Sequence, residues 1–240
     1  MLDVINIGVD VGSTTVKLVA LDYKDDILYS KYERHHANIN ETLKKLVLEA
    51  YEKFEDVRIK VAITGSGGMG LANALNVSFV QEVIASTKAI KPFTPPADVA
   101  IELGGEDAKI TYFGESVEQK MNGTCAGGTG SFIDQMASLL KTDATGLNEY
   151  AKNFTTIYPI AARCGVFAKT DVQPLLNEGV KKEDISASIF QAVVIQTISG
   201  LACGMPIKGK VAFLGGPLYY LSELRQRFIE TLNLKDSDII

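Results

Sequence analysis

The sequence contains only three cysteines and two histidines, and these shortages exclude several chemistries at once. Three cysteines make no disulfide framework, and a cytosolic chain keeps them reduced, so metal binding or simple burial is the expected use. His35 and His36 are neighbours with no third ligand at metal spacing, so they are expected to form a solvated surface pair. Positive charge is also short. With 24 Lys and Arg against 29 Asp and Glu, the net charge of −5 gives no electrostatic case for a nucleic-acid partner or an anionic membrane. No apolar stretch is expected to span a bilayer, and the opening MLDVINIGVD reads as a strand without the basic start of a signal peptide. The expected location is cytoplasmic.

What the sequence does have is glycine in meaningful places. Three glycine turns each follow a short apolar run: VDVGSTTVK, IELGGEDAK and AFLGGPL. A glycine turn at a strand end lets backbone N–H groups approach an anion closely. Three of them over two halves of one chain suggest a nucleotide held between two similar domains. The length of 240 residues suits one large α/β domain or two small ones.

Periodicity supports a repeated pattern. Residues 4–9, 16–22, 27–32 and 57–64 read as strands, and 41–54 as a helix capped by Asn40 with Leu43, Leu46, Val47 and Ala50 on one face. GSGGMG reads as a flexible loop, and 81–90 as a helix stopped by KPFTPPAD, which marks a boundary between domains 1–92 and 93–240. The opening pattern then returns, with strands at 99–103, 110–113 and 117–121. We read this as a structural duplication carried by pattern, with little repetition of residue identity.

The first turn sets Asp10 before Gly12, Ser13, Thr14 and Thr15. That suits a metal-bound phosphate: Asp10 reaches Mg2+ or its water, while Ser13, Thr14 and backbone N–H groups hold phosphate oxygens. The GxxxxGK[ST] spacing of a P-loop is absent, and an ordinary hairpin turn fits these residues equally well. The second turn places Glu102 before Gly104 and Gly105, with Glu106, Asp107 and Lys109 after it; a charged surface turn is the plain alternative. The third, Gly215-Gly216-Pro217, is uncharged and fits a loop stop or a surface for an adenine. Cys125, in NGTCAGGTGSF, opens a helix expected over 126–140, and Cys164 lies near another expected helix start. Helix N-termini stabilise a thiolate or an anionic cluster. Two cysteines are too few for an Fe–S cluster unless a symmetric dimer doubles them. Taken alone, both are most simply small buried hydrophobes, and Cys203 is read as structural.

Together DVGSTTVK, ELGGEDAK, NGTCAGGTGSF, RCGVFAK and LGGPL resemble the BadF/BadG/BcrA/BcrD-type ATPases, and within them the activator components of 2-hydroxyacyl-CoA dehydratases. The resemblance covers nearly the whole chain. It implies an α/β fold of two duplicated ribonuclease-H-like domains, as in the actin, Hsp70 and sugar-kinase superfamily, with an ATP cleft between them. It assigns Asp10, Gly12, Ser13, Thr14, Thr15 and Lys17 to the first phosphate loop, and Glu102, Gly104 and Gly105 to the second, with Asp10 and Glu102 catalytic. Gly127, Gly128, Thr129 and Gly130 line the cleft, and Gly215 and Gly216 contact the adenosine. It further implies a homodimer bridging one [4Fe–4S] cluster through Cys125 and Cys164. The implied partners are ferredoxin or flavodoxin as donor and a 2-hydroxyacyl-CoA dehydratase-type enzyme as acceptor. Where the simple activators carry aspartate this chain has Glu102, which with RCGVFAKTDVQPL is more like the large multi-domain activase-like proteins. Members also continue through a further strand and an Ala/Gly-rich helix, so the resemblance implies a fragment. Two other readings compete: an amino-sugar-type kinase of the same superfamily, which leaves both cysteines idle, and a non-redox nucleotide-binding regulatory domain.

Overall fold

A computed structural model of the chain describes residues 4–93, 96–122, 127–161 and 165–240. They belong to two compact units, Met1–Phe93 and Thr94–Ile240.

In the first unit, β1 (Val4–Val11), β2 (Thr15–Leu21) and β3 (Ile27–Arg34) form an antiparallel meander. Helix α1 (Ile39–Lys53) then carries the chain over to β4 (Arg58–Thr64), which runs parallel to β1. α2 (Gly68–Leu75), the two-residue β5 (Ser78–Phe79) and α3 (Glu82–Phe93) complete a sheet ordered β3-β2-β1-β4-β5. Alternation along β1 and β2 sends Val9, Val11, Val16 and Leu18 to one face, where Leu43, Leu46 and Ala50 of α1 meet them. Those three helical positions lie on one stripe, and burying it is what holds a helix of modest intrinsic propensity on the sheet. α1 begins two residues earlier than its sequence suggested: Asn38, not Asn40, occupies the N-cap, and its side chain makes no capping bond. The glycine-rich stretch expected to be flexible is instead the start of α2, whose Gly68 and Ala72 are small enough to lie against the sheet.

The second unit repeats the plan. β6 (Val99–Leu103), β7 (Ala108–Phe113) and β8 (Val117–Met121) form an antiparallel meander, and β9 (Val211–Leu214) runs parallel to β6, giving the order β8-β7-β6-β9. The crossover is longer: α4 (Gly130–Leu139), α5 (Ala144–Ala151), α6 (Gly165–Asn177) and α7 (Lys182–Thr197) precede β9, and α8 (Gly216–Tyr220) and α9 (Ser222–Leu232) follow it. α7 is buried on nearly every side, from Ile185 through Phe190 to Val194. With its π-helical extension it makes the 21-residue stretch Lys182–Ala202, which by length and composition could cross a membrane, against the expectation of no such run. It is the core helix of this unit, with 67% of its most apolar 18 residues buried.

Residues 152–161 lie outside any strand or helix among the described residues, and side-chain acceptors take the place of a strand partner. Asp184 accepts from the Thr155 and Thr156 amides at 2.6 and 2.9 Å. The Ser188 hydroxyl accepts from Tyr158 N–H at 2.8 Å, and Asp171 from Ala161 N–H at 2.6 Å.

Candidate functional site

The first turn, residues 12–14, joins β1 to β2, with Asp10 directly opposite Lys17 in the antiparallel register and beside Thr64 in the parallel one. Gly12 N–H donates to Thr15 C=O at 2.9 Å, which closes the turn. The Lys17 ammonium lies 2.6 Å from Asp10 Oδ2. Burial pulls the Lys17 pKa down, but the Asp10 carboxylate outweighs it and leaves the ammonium above its ordinary value. Among the described residues the amides of Ser13 and Thr14 donate to no carbonyl. The Thr64 hydroxyl, beside Asp10, is buried without a hydrogen-bond partner among the described residues.

Behind this turn stand two residues that the sequence did not mark. Gly65 has φ +92°, and a Cβ there would run into the Asp10 carboxylate and the Val11 carbonyl; only glycine lets the chain pass so close. His35 is 6% exposed, which corrects the expected surface position of this histidine. Its Nε2 lies 3.2 Å from Gly12 C=O, and its Nδ1 accepts from Ala37 N–H at 3.1 Å. His36, at φ +44°, is exposed as expected.

The second turn is built in the same way. Glu102 faces Lys109 across the β6–β7 register, and Gly104 N–H donates to Asp107 C=O at 2.7 Å. Lys109 is 2% exposed and lies 2.7 Å from Asp107 Oδ2 and 3.4 Å from Glu102 Oε1. Little residue identity repeats, but at this turn the repeat extends to residue type. Acid, glycine two residues on and lysine seven residues on recur as Asp10, Gly12, Lys17 and Glu102, Gly104, Lys109. The glycine after each parallel strand recurs too: Gly215, at φ +88°, passes so close to Leu103 C=O that a Cβ would collide with it, as Gly65 does at Val11.

The second turn also binds the glycine cluster. Gly130 and Ser131, the first residues of α4, donate to Gly104 and Gly105 C=O at 2.9 and 2.7 Å. Gly127, Gly128 and Gly130 are buried, as is Thr129, the N-cap of α4. Gly216 opens α8, with Pro217 in its first turn. The described residues thus gather Asp10, Gly12, Ser13, Thr14, Thr15 and Lys17 in one unit. In the other they gather Glu102, Gly104, Gly105, Gly127, Gly128, Thr129, Gly130, Gly215 and Gly216. Cys125 and Cys164 lie outside the described residues, and among those residues no group of three or more His, Cys, Asp or Glu gathers to hold a metal. Cys203 is exposed at φ +49°, not buried as its apolar neighbours suggested, because it terminates the π-helical turn as its left-handed cap.

A three-stranded meander with a parallel fourth strand, present twice with matched glycine turns, is the duplicated α/β fold of the actin and sugar-kinase superfamily. The chain belongs to the BadF/BadG/BcrA/BcrD ATPase family, which it matches over residues 7–232. It is 31% identical over 215 residues to the 2-hydroxyisocaproyl-CoA dehydratase activator of Clostridioides difficile, covering 87% of this chain and 79% of that protein. Among solved structures, component A of the Acidaminococcus fermentans (R)-2-hydroxyglutaryl-CoA dehydratase superposes with a TM-score of 0.87 at 27% identity, over 98% of this chain and 90% of that one. The Clostridium difficile 2-hydroxyisocaproyl-CoA dehydratase activator with bound ADPNP superposes with a TM-score of 0.82 at 27% identity, over 98% of this chain and 87% of that one.

Proposed function

We propose that this protein hydrolyses ATP to drive low-potential one-electron transfer to a 2-hydroxyacyl-CoA dehydratase-type partner. The observation that carries the reading is the acid–glycine–lysine turn present once in each unit of a chain in an ATPase family. Relatives named as dehydratase activators, one of them solved with ADPNP, support it over a sugar kinase or a regulatory domain.

Each turn suits half of a nucleoside triphosphate. The unclaimed amides of Ser13 and Thr14 point to phosphate oxygens, as glycine-turn amides do elsewhere. The orphaned Thr64 hydroxyl and the Asp10 carboxylate, with Ser13 and Thr14, are a hard-oxygen set suited to Mg2+ and its waters. In the free protein Lys17 holds the Asp10 carboxylate. When a phosphate arrives, the ammonium has an anion to move to, and Asp10 is released to orient Mg2+ or the attacking water. Glu102 is held by Lys109 in the equivalent position, with Gly104 closing the turn that offers the Gly105 amide to the β- and γ-phosphates. Gly127, Gly128, Thr129 and Gly130 complete the nucleotide wall, and Gly215 and Gly216 contact the adenosine. Water attack on the γ-phosphate yields ADP and phosphate, and the difference in contacts between the two nucleotide states supplies the conformational bias that drives the electron.

Cys125 and Cys164 from each of two subunits would hold a [4Fe–4S] cluster, which when bound supplies a one-electron carrier between ferredoxin or flavodoxin and the partner enzyme. Val166 and Phe167, two and three residues after Cys164 and 72% and 58% exposed, give a homodimer apolar surface to cover. The test is anaerobic reconstitution, with iron and sulfide counted per dimer in wild type, Cys125→Ser and Cys164→Ser. About four irons per dimer, lost in both variants, supports the reading. A colourless protein that binds ATP and phosphorylates a sugar overturns it.

A further inference from the structure

Both units fasten the glycine turn from behind with the side chain of one residue, and in both it is the residue that directly follows the third strand. In the first unit that residue is His35, after β3. The Gly12 carbonyl can only accept, so Nε2 donates to it at 3.2 Å; the Ala37 amide can only donate, so Nδ1 accepts at 3.1 Å. The two bonds fix one neutral tautomer. His35 also donates its own N–H to Thr14 C=O at 3.2 Å, so both ends of the 12–14 turn are tied to one buried residue. In the second unit the residue is Asn122, after β8. Its Oδ1 accepts from Ala108 N–H at 2.7 Å, its Nδ2 approaches Glu106 C=O at 3.4 Å, and its N–H donates to Ala108 C=O at 3.0 Å.

A loop that must present several amides to one anion loses affinity if it orders only on binding. A side chain that fixes the loop beforehand removes that cost. We propose that His35 and Asn122 are positioning residues that hold the two glycine turns in their nucleotide-binding shape before the nucleotide arrives. The proposal rests on the nucleotide reading above. Neither residue reaches a phosphate in it, and both act through the turn they hold.

The test is the dissociation constant of ADPNP for the full chain by calorimetry, together with KM and kcat for ATP. His35→Asn keeps an acceptor for the Ala37 amide and loses the donor to Gly12; His35→Gln keeps a donor long enough to reach it. We expect His35→Asn to weaken ADPNP binding about three- to tenfold, the scale of one net hydrogen bond, and His35→Gln to remain within about twofold of wild type. Asn122→Ala should weaken binding on the same scale, with Asn122→Asp recovering most of it through the retained Oδ1 acceptor. The loss should be larger in KM than in kcat. Unchanged affinity in folded His35→Asn and Asn122→Ala proteins, or equal losses in His35→Asn and His35→Gln, overturns the assignment while the nucleotide reading stands. If wild type itself binds no ADPNP, the nucleotide reading fails and takes this proposal with it. Should a variant not fold, amide exchange in wild type without nucleotide decides: the Gly12, Gly104 and Ala108 amides, each bonded within or behind its turn, should exchange well below unstructured rates, and full-speed exchange at all three refutes preformed turns.

Discussion

Asp184 offers a perturbation whose size and pH dependence both follow from the structure. It is 5% exposed near the start of α7, and its Oδ1 accepts the amides of Thr155 and Thr156 and, at 3.2 Å, the Thr155 hydroxyl. Each hydrogen bond to a charged group contributes about 1.5–3 kcal/mol. Thr155 and Thr156 lie on an exposed stretch, so water can replace part of what is lost. Asp184→Ala should therefore cost roughly 2–3 kcal/mol, and Asp184→Asn, which keeps the acceptor without the charge, about 1 kcal/mol. For a chain of this size that lowers Tm by roughly 4–12 °C for alanine. The Thr155 amide, more than burial works against it, holds the Asp184 pKa below its ordinary value. The unfolded chain then binds a proton more readily than the native one. The charge-dependent stabilisation is complete above the ordinary carboxylate range, near pH 4, and is lost as pH falls through the depressed native value. Urea unfolding should show the gap between wild type and Asp184→Asn at pH 7 shrinking by pH 3. A gap that stays constant, or an alanine cost under about 0.5 kcal/mol, would refute the reasoning.

Three further outcomes bear on the site. Asp10→Ala should abolish ATP turnover and leave bound iron unchanged; iron loss in that variant would contradict the separate roles given to Asp10 and the cysteines. Gly65→Ala, at φ +92° and against the Asp10 carboxylate, should cost about 1–3 kcal/mol in urea unfolding and weaken ADPNP binding together; stability and affinity both at wild-type level would show the loop can move aside. Lys109→Met should destabilise more than Lys17→Met, because Lys109 is 2% exposed and Lys17 a third. Breaking a buried pair costs about 3–5 kcal/mol, reduced here to roughly 1–3 because Glu102 and Asp107 keep contact with water. Equal costs in the two variants would mean burial does not set the strength of the pair.

The sequence carried the fold because strand alternation and glycine turns are local signals, and the two meanders lie close to where alternation put them. It concealed what depends on register. The Asp10–Lys17 and Glu102–Lys109 pairs are each seven residues apart, a spacing that means nothing until a hairpin turn places the two residues opposite each other. His35 read as a surface residue because no third ligand sat at metal spacing, yet its ring and its N–H are bonded to Gly12 and Thr14 of the β1–β2 turn. Gly65 sat in a run of glycines that suggested flexibility, when its positive φ is required by the Val11 carbonyl behind it. α7 carries no amphipathic stripe, since packing on all sides removes the periodicity that marks a surface helix.

The duplication explains why these hidden residues are the ones that matter. A strand end can present amides to an anion only if the chain behind it is held, and each unit solves this with the same parts: a glycine crossing the carbonyl, a lysine against the acid, and a side chain from the end of the third strand. The parts differ in strength. The first turn keeps a lysine a third exposed and an orphaned Thr64 hydroxyl beside its acid, whereas the second buries its lysine between two carboxylates and is bonded to the first turn of α4. The first turn can therefore exchange partners when a charged ligand arrives. The second is already committed through Gly130 and Ser131 to α4, and through Asn122 to the chain on the other side of Cys125.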